Sequence, residues 1–154
     1  MLRKKITYTD FNGNERTEEF CFFLSEADLM KTEVKSAASG GFKNIIQRMV
    51  DAKDYKAMVD LFDELIIKSY GVISEDGRRL MKGRDGEYAR EFMETNAYTQ
   101  LVMELLSGDE SKITEFIEGM LPQKILEEAK RDMANEKNAT APKVIDGKAT
   151  EVKK

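Results

Sequence analysis

The sequence predicts an α+β, mainly α-helical chain: an N-terminal β-hairpin packed on a multi-helix domain, with a disordered C-terminal tail. Three observations carry this. Apolar and polar residues alternate from Leu2 to Tyr8, the period of a half-exposed strand. From Ser25 onward the apolar spacing becomes that of amphipathic helices. Beyond Asn135 the apolar period is lost. These place one domain at residues 1–136, with the hairpin at about 2–24 and helices at about 25–136, and a basic tail at 137–154.

Leu2, Lys4, Ile6 and Tyr8 form one side of the first strand. Arg16 to Leu24 is the second, rich in aromatics at Phe20, Phe22 and Phe23. Asn12-Gly13 between them is a hairpin signal. A two-residue loop there would pair Ile6 with Glu19 and split the apolar faces. A three-residue loop, Asn12 to Asn14, pairs Ile6 with Phe20 and Leu2 with Leu24. A one-residue slip moves every side chain to the other face, so the second register is expected. Its apolar face holds Leu2, Ile6, Phe20, Phe22 and Leu24. Two strands alone are marginal, so helices must cover that face.

Ser25 is a good N-cap, with Asp28 three residues on and Leu24 placed to staple against Leu29. That helix should run to about Ala37 or Ala38 and end at Gly40-Gly41. Phe42, Ile45, Ile46, Met49 and Val50 mark a second. Asp54 caps a third, with Tyr55, Met58, Val59, Phe62, Leu65 and Ile66 on its buried side. Tyr88, Ala89, Phe92 and Met93 suggest a fourth. Thr95 caps a fifth, carrying Tyr98, Leu101, Val102, Leu105 and Leu106, which Ser107, Gly108 and Asp109 break. Ile113, Phe116 and Ile117 form a sixth, stopped by Gly119. Pro122 suits the first turn of a last helix with Ile125, Leu126, Ala129 and Met133.

Composition argues against an enzyme. The chain has 154 residues, no His and one Cys, Cys21. Without His it lacks the side chain that titrates near neutrality. A lone Cys makes neither a disulfide nor a Cys–His pair, and in an apolar strand it reads as a small buried hydrophobe suited to a reducing compartment. Gly83 to Gly86 lacks the Lys-Ser/Thr ending of a phosphate loop. Asp76, Gly77 and Asp85 lack the alternating oxygen ligands of a calcium loop. Glu33-Val34-Lys35 has nuclease-like spacing, but on a helix it reads as a surface ion pair, and Glu64 with Lys68 reads as another. The expected catalytic, cofactor and metal residues are therefore none. Lys4 and Lys5 precede an alternating segment rather than the apolar core of a signal peptide, and no apolar run is long enough to span a membrane.

The net charge is −4. Residues 137–154 carry five lysines against Asp146 and Glu151, a net of +3, which leaves −7 on residues 1–136. No basic stripe favours nucleic acid. The tail could touch an acidic partner, but it reads as simply solvated and inert.

The candidate functional residues lie between Leu65 and Lys82. Leu65, Ile66 and Ile67 stop at Ser69, Tyr70 and Gly71, where Gly71 suits a left-handed helix stop. Asp76-Gly77 supplies a second tight turn, and Arg78 and Arg79 follow. The arginines serve water, an intramolecular carboxylate or a partner protein. Methionine is frequent, at nine residues. Several lie on core stripes. Met81, Met103 and Met120 fit their local stripes less well, which makes them candidates for a surface accommodating varied apolar partners.

Four short blocks in order are Glu18 to Phe20 with Leu24 and Ser25; Lys68 to Gly71 with Ser74, Asp76 to Arg79 and Lys82; Ala97, Tyr98, Gln100, Leu101 and Met103 to Leu105; and Phe116, Ile117 and Gly119 to Pro122. Over most of residues 1–126 the chain thereby resembles the tail assembly chaperones of long-tailed (siphovirus-type) bacteriophages of Gram-positive bacteria. It departs from them most at Gly83 to Glu87 and in the tail. The resemblance implies a non-enzymatic factor of the host cell cytoplasm. Such a factor binds the tape measure protein, keeps it soluble, helps recruit tail tube protein and is absent from the mature virion. It also implies, in many relatives, a longer frameshifted form; separately, a homo-oligomer is expected, since self-association raises avidity along an extended client. The competing classes are a structural virion component, such as a head–tail connector or tail-completion protein, and a small metal-dependent nuclease.

Overall fold

The computed structural model describes residues 1–31, 51, 54–128, 130, 131, 134 and 135. The expected helix around Phe42 to Val50, the Glu33–Lys35 pair and the tail at 137–154 lie outside those residues. Two units are distinguished, Met1–Pro122 and Gln123–Lys154.

In the first unit, β1 (Leu2–Thr9) and β2 (Glu15–Phe22) form the expected antiparallel hairpin. Its register differs from the expectation. Ile6 pairs with Glu18 and Leu2 with Phe22. The loop is indeed three residues, but it is Phe11 to Gly13, closed by Asp10 N–H donating to Asn14 O at 2.8 Å. Two local causes move it one residue earlier. Gly13 takes the left-handed position, with φ 85°, at the third place of the loop. The Asp10 carboxylate accepts from Asn12 and Asn14 N–H, both at 2.9 Å. The resulting shift is two residues, so the apolar face survives: Ile6, Phe20 and Phe22 are buried on it. Leu24 is also buried but lies beyond β2, where its N–H donates to Met120 O at 2.8 Å.

The Ser25 cap forms as expected. Ser25 N–H and Oγ donate to Asp28 Oδ2 at 2.9 and 2.8 Å, and Asp28 N–H returns to Ser25 Oγ at 3.0 Å, at the start of α1 (Glu26–Lys31). Asp54 caps α2 (Tyr55–Ser69), which buries Met58, Phe62, Leu65, Ile66 and Ser69. Tyr55 is not on the buried side; as the first residue of α2 it is 69% exposed.

The segment after α2 is more regular than the connector the sequence suggested. Tyr70–Ile73 is a strand, β3, and Leu80–Met81 is a short β4, so the hairpin grows into a four-stranded antiparallel sheet of order β1-β2-β3-β4. A 3-10 turn, Arg84–Gly86, leads into α3 (Glu87–Met93). Thr95 caps α4 (Asn96–Leu105), and Asp109 caps α5 (Glu110–Met120). Gly119 does not stop α5. It lies in the last turn facing Leu2, where an added Cβ would come 3.0 Å from Leu2 Cδ1.

The helices cover the apolar face of the sheet through aromatic rings. Phe92 of α3 is stacked on Tyr70 of β3 at 4.8 Å and 18°, and lies 4.9 Å from Phe20 and 5.8 Å from Phe22 of β2. Phe116 of α5 lies 5.1 Å from Phe22 and 5.4 Å from Phe62 of α2. These offset and edge-on pairs join β2 and β3 to α2, α3 and α5. Asn96 Nδ2 donates to Thr9 O at 2.8 Å and Lys4 meets Glu104 at 3.0 Å, so α4 lies along β1. In the second unit, residues 123–128 are helical, directly after Pro122 as its ring favours.

Candidate functional site

The segment from Tyr70 to Lys82 that the sequence singled out is a β-hairpin with a braced turn. Ser74 N–H donates to Arg79 O at 2.8 Å and Gly77 N–H to Ser74 O at 2.8 Å. Gly77 takes φ 75°, as the Asp-Gly signal predicts. Asp76 braces the turn, accepting from Ser74 Oγ at 2.6 Å and Arg78 N–H at 3.1 Å. Those hydrogen bonds, from Ser74 first, hold its carboxyl below the usual carboxylate range.

Gly71 is required for a different reason from the one expected. It is not among the glycines of positive φ. It pairs with Cys21 across β2 and β3. An added Cβ would lie 2.6 Å from Leu80 Cγ and 3.0 Å from Met81 O. The close approach of β4, rather than a left-handed helix stop, excludes a side chain. Tyr70 packs on α3, and burial pushes its phenol up to about 12.

Lys82 is the residue that sequence reasoning missed. Its ammonium donates to Phe23 O at 2.7 Å, Asp28 Oδ2 at 2.9 Å and Lys68 O at 2.9 Å. All three N–H groups of one side chain are used. The contact ties the end of β4 to the exit of β2, the capping carboxylate of α1 and the last turn of α2. The one signal in the sequence was position: Lys82 follows the Asp76–Arg79 turn and was noted without a role.

Arg78 and Arg79 are both exposed. Arg78 Nη1 lies 3.8 Å from Asp76 Oδ2, while Arg79 Nη2 meets the Met81 sulfur at 3.5 Å. Arg79 has no carboxylate at ion-pair distance among the described residues. Val72 pairs with Met81, so these two apolar side chains and Arg79 lie on one face of the β3–β4 hairpin, beyond the buried Tyr70. Beside it, a groove of about 660 Å³ is lined by Arg79, Leu80, Met81, Lys82, Gly83, Glu87 and Tyr88.

The three methionines separate. Met103 on α4 is 64% exposed and Met81 half-buried. Met120 is fully buried at the end of α5, so its thioether fills the core and does not face a partner. Sequence spacing did not single out Phe11, which is 80% exposed, or Met30, which is 72% exposed. Cys21 is buried, and burial raises its thiol pKa.

Among the described residues, the carboxyls of Asp10, Asp28, Asp76 and Asp109 are held below their ordinary range, and each accepts hydrogen bonds in a turn or cap. That is the opposite of a carboxyl poised for proton transfer. Among the described residues, no group of three or more His, Cys, Asp or Glu is placed to hold a metal ion. Nor, among them, is any helix long and apolar enough to cross a membrane.

The arrangement brings together a braced hairpin turn, the exposed Arg78 and Arg79, and exposed apolar side chains at Val72 and Met103. A family model described as phage tail assembly chaperone matches residues 1–154, the whole chain. No curated protein and no solved structure matches it.

Proposed function

The chain belongs to the phage tail assembly chaperones, and we propose that it is a non-catalytic holdase for the tape measure protein of a siphovirus-type phage with a Gram-positive host. It works in the host cell cytoplasm, helps recruit tail tube protein and leaves before the virion matures. The match over residues 1–154 carries this reading.

Physical chemistry supports it. A tape measure chain is long and helix-rich, so its apolar stripes self-associate unless covered. Small acidic subunits that cover them also repel other coated chains. Exposed Met103 and half-buried Met81 supply flexible apolar contact on such a surface. Acting as a homo-oligomer, alongside a frameshifted longer form, the protein gains avidity along an extended client without tight individual contacts.

The test follows the protein through infection. A tagged chain should capture the tape measure protein from lysates before tails are complete, and purified particles should contain none of it. Its retention in particles would instead favour a head–tail connector or tail-completion role.

A further inference from the structure

We propose that β1 takes an extended segment of the client polypeptide as a further strand of the sheet, along its free edge. The inference rests on the client reading above and names how the client is held.

The hairpin turn fixes which way the main chain of β1 faces. Asp10 N–H donates to Asn14 O at 2.8 Å, so Asp10 faces its partner strand. In an antiparallel pair, residues alternate between facing the neighbour and facing away. Leu2, Lys4, Ile6 and Tyr8 therefore bond to β2, and Arg3, Lys5, Thr7 and Thr9 turn their main-chain groups outward. Two bonds agree with this alternation. Thr9 O accepts from Asn96 Nδ2 at 2.8 Å, and on the far side of β2 the odd-numbered Phe23 donates its N–H to Ser69 O at 2.8 Å. β1 is the outermost strand of the sheet. Among the described residues, the N–H groups of Arg3, Lys5, Thr7 and Thr9 and the C=O groups of Arg3, Lys5 and Thr7 have no hydrogen-bond partner. The side chains at these positions are exposed, and neither a proline nor a bulge interrupts the row.

Such a row, repeating every two residues, is complementary to extended main chain. A helix spends its own N–H and C=O groups internally and cannot fill it. A second copy does not fit either. Asn96 reaches the outward carbonyl of Thr9 and Lys4 meets Glu104, so α4 runs along this edge. Paired strands lie about 4.8 Å apart, whereas packed helices need about 8–10 Å. Two copies joined edge to edge would drive one α4 into the other. An extended segment that brings no helix with it avoids that collision. Recognition through main chain also tolerates varied sequence, which suits a long client.

Lys5→Pro tests this, because Lys5 is exposed and its N–H faces away from β2. The change deletes one donor of the row and spares the ladder within the hairpin. It should weaken binding to the tape measure protein of the same phage about 10-fold or more. Hydrogen exchange read residue by residue on the original chain gives a measure that needs no substitution. In the complex, the amides of Arg3, Lys5 and Thr7 should exchange at least about 10-fold more slowly than in the free chain, while Lys4 and Ile6 stay protected in both. If Lys5→Pro fails to fold, the exchange result decides alone. Undiminished binding by a folded Lys5→Pro chain, or unchanged exchange at Arg3, Lys5 and Thr7, overturns strand addition and leaves the chaperone reading in place. Failure of the original chain to bind the tape measure protein overturns both.

Discussion

The Lys82 ammonium lies 2.9 Å from Asp28 Oδ2, joining residues 54 positions apart, and spends its other two protons on main-chain carbonyls. Its side chain is 22% exposed and that of Asp28 33%. A lysine so placed is a fastener between elements rather than a surface charge. Replacing it removes three charge-assisted hydrogen bonds and leaves a partly buried carboxylate without its cation, held by Ser25 only. Lys82→Met should cost about 2–4 kcal/mol of stability in urea unfolding. Lys82→Arg should recover little of it, because a planar fork does not match three converging acceptors. A loss below about 0.5 kcal/mol, the scale of an ordinary surface change, would contradict the role.

The same contact sets the acid limb of stability. Burial opposes the charge of Asp28, but hydrogen bonds from Lys82 and Ser25 outweigh it and hold the carboxyl below its ordinary range. A depressed folded-state pKa stabilises the protein above the unfolded value, about 3.9, and that share is lost as pH falls through the folded one. Urea midpoints should therefore drop below about pH 4. The drop should be shallower for Asp28→Asn, whose stability at neutral pH is already lower. With no His in the chain, little change is expected around neutrality. Parallel acid limbs for the two proteins would sink the assignment.

Gly71 gives a sharper test because two mechanisms predict different partners. The close approach of Leu80 and the Met81 carbonyl makes Gly71→Ala an overpacking change costing about 1–3 kcal/mol. Trimming the obstruction should relieve it, so Gly71→Ala combined with Leu80→Ala should cost less than the sum. At Gly77, with φ 75° and open space around it, alanine should cost about 1 kcal/mol, whatever stands at position 80. Strict additivity at Gly71 would point back to a backbone cause.

Much of this fold was legible because it is written locally. Ser25 with Asp28, Asp54 and Thr95 mark helix starts by their own hydrogen bonds, and the apolar stripes of α2, α4 and α5 repeat at helical spacing, though Asp109, expected only to break a helix, also caps the next one. Apart from the hairpin register, whose causes are local, what escaped depends on distant partners. The hairpin register turned on which residue Asp10 would cap, and Tyr70–Ile73 is a strand because β2 lies beside it. Gly71 carried a correct signal with the wrong cause, since its neighbour Leu80 is brought there by the turn. Met120 fitted its stripe poorly on paper, yet it is fully buried. The candidate site was half legible: the turn and its arginines by local chemistry, but not Lys82, whose importance lies in what surrounds it.

The central claim is that this chain keeps a tape measure protein soluble, and co-expression tests it most directly. The tape measure gene of the same phage is expressed with and without this chain, and soluble and pelleted fractions are compared before a pull-down through a tag on this chain. The account expects the tape measure protein to move from pellet to supernatant and to co-purify with its partner. Equal solubility in both cultures, with no tape measure protein retained in the pull-down, would contradict it.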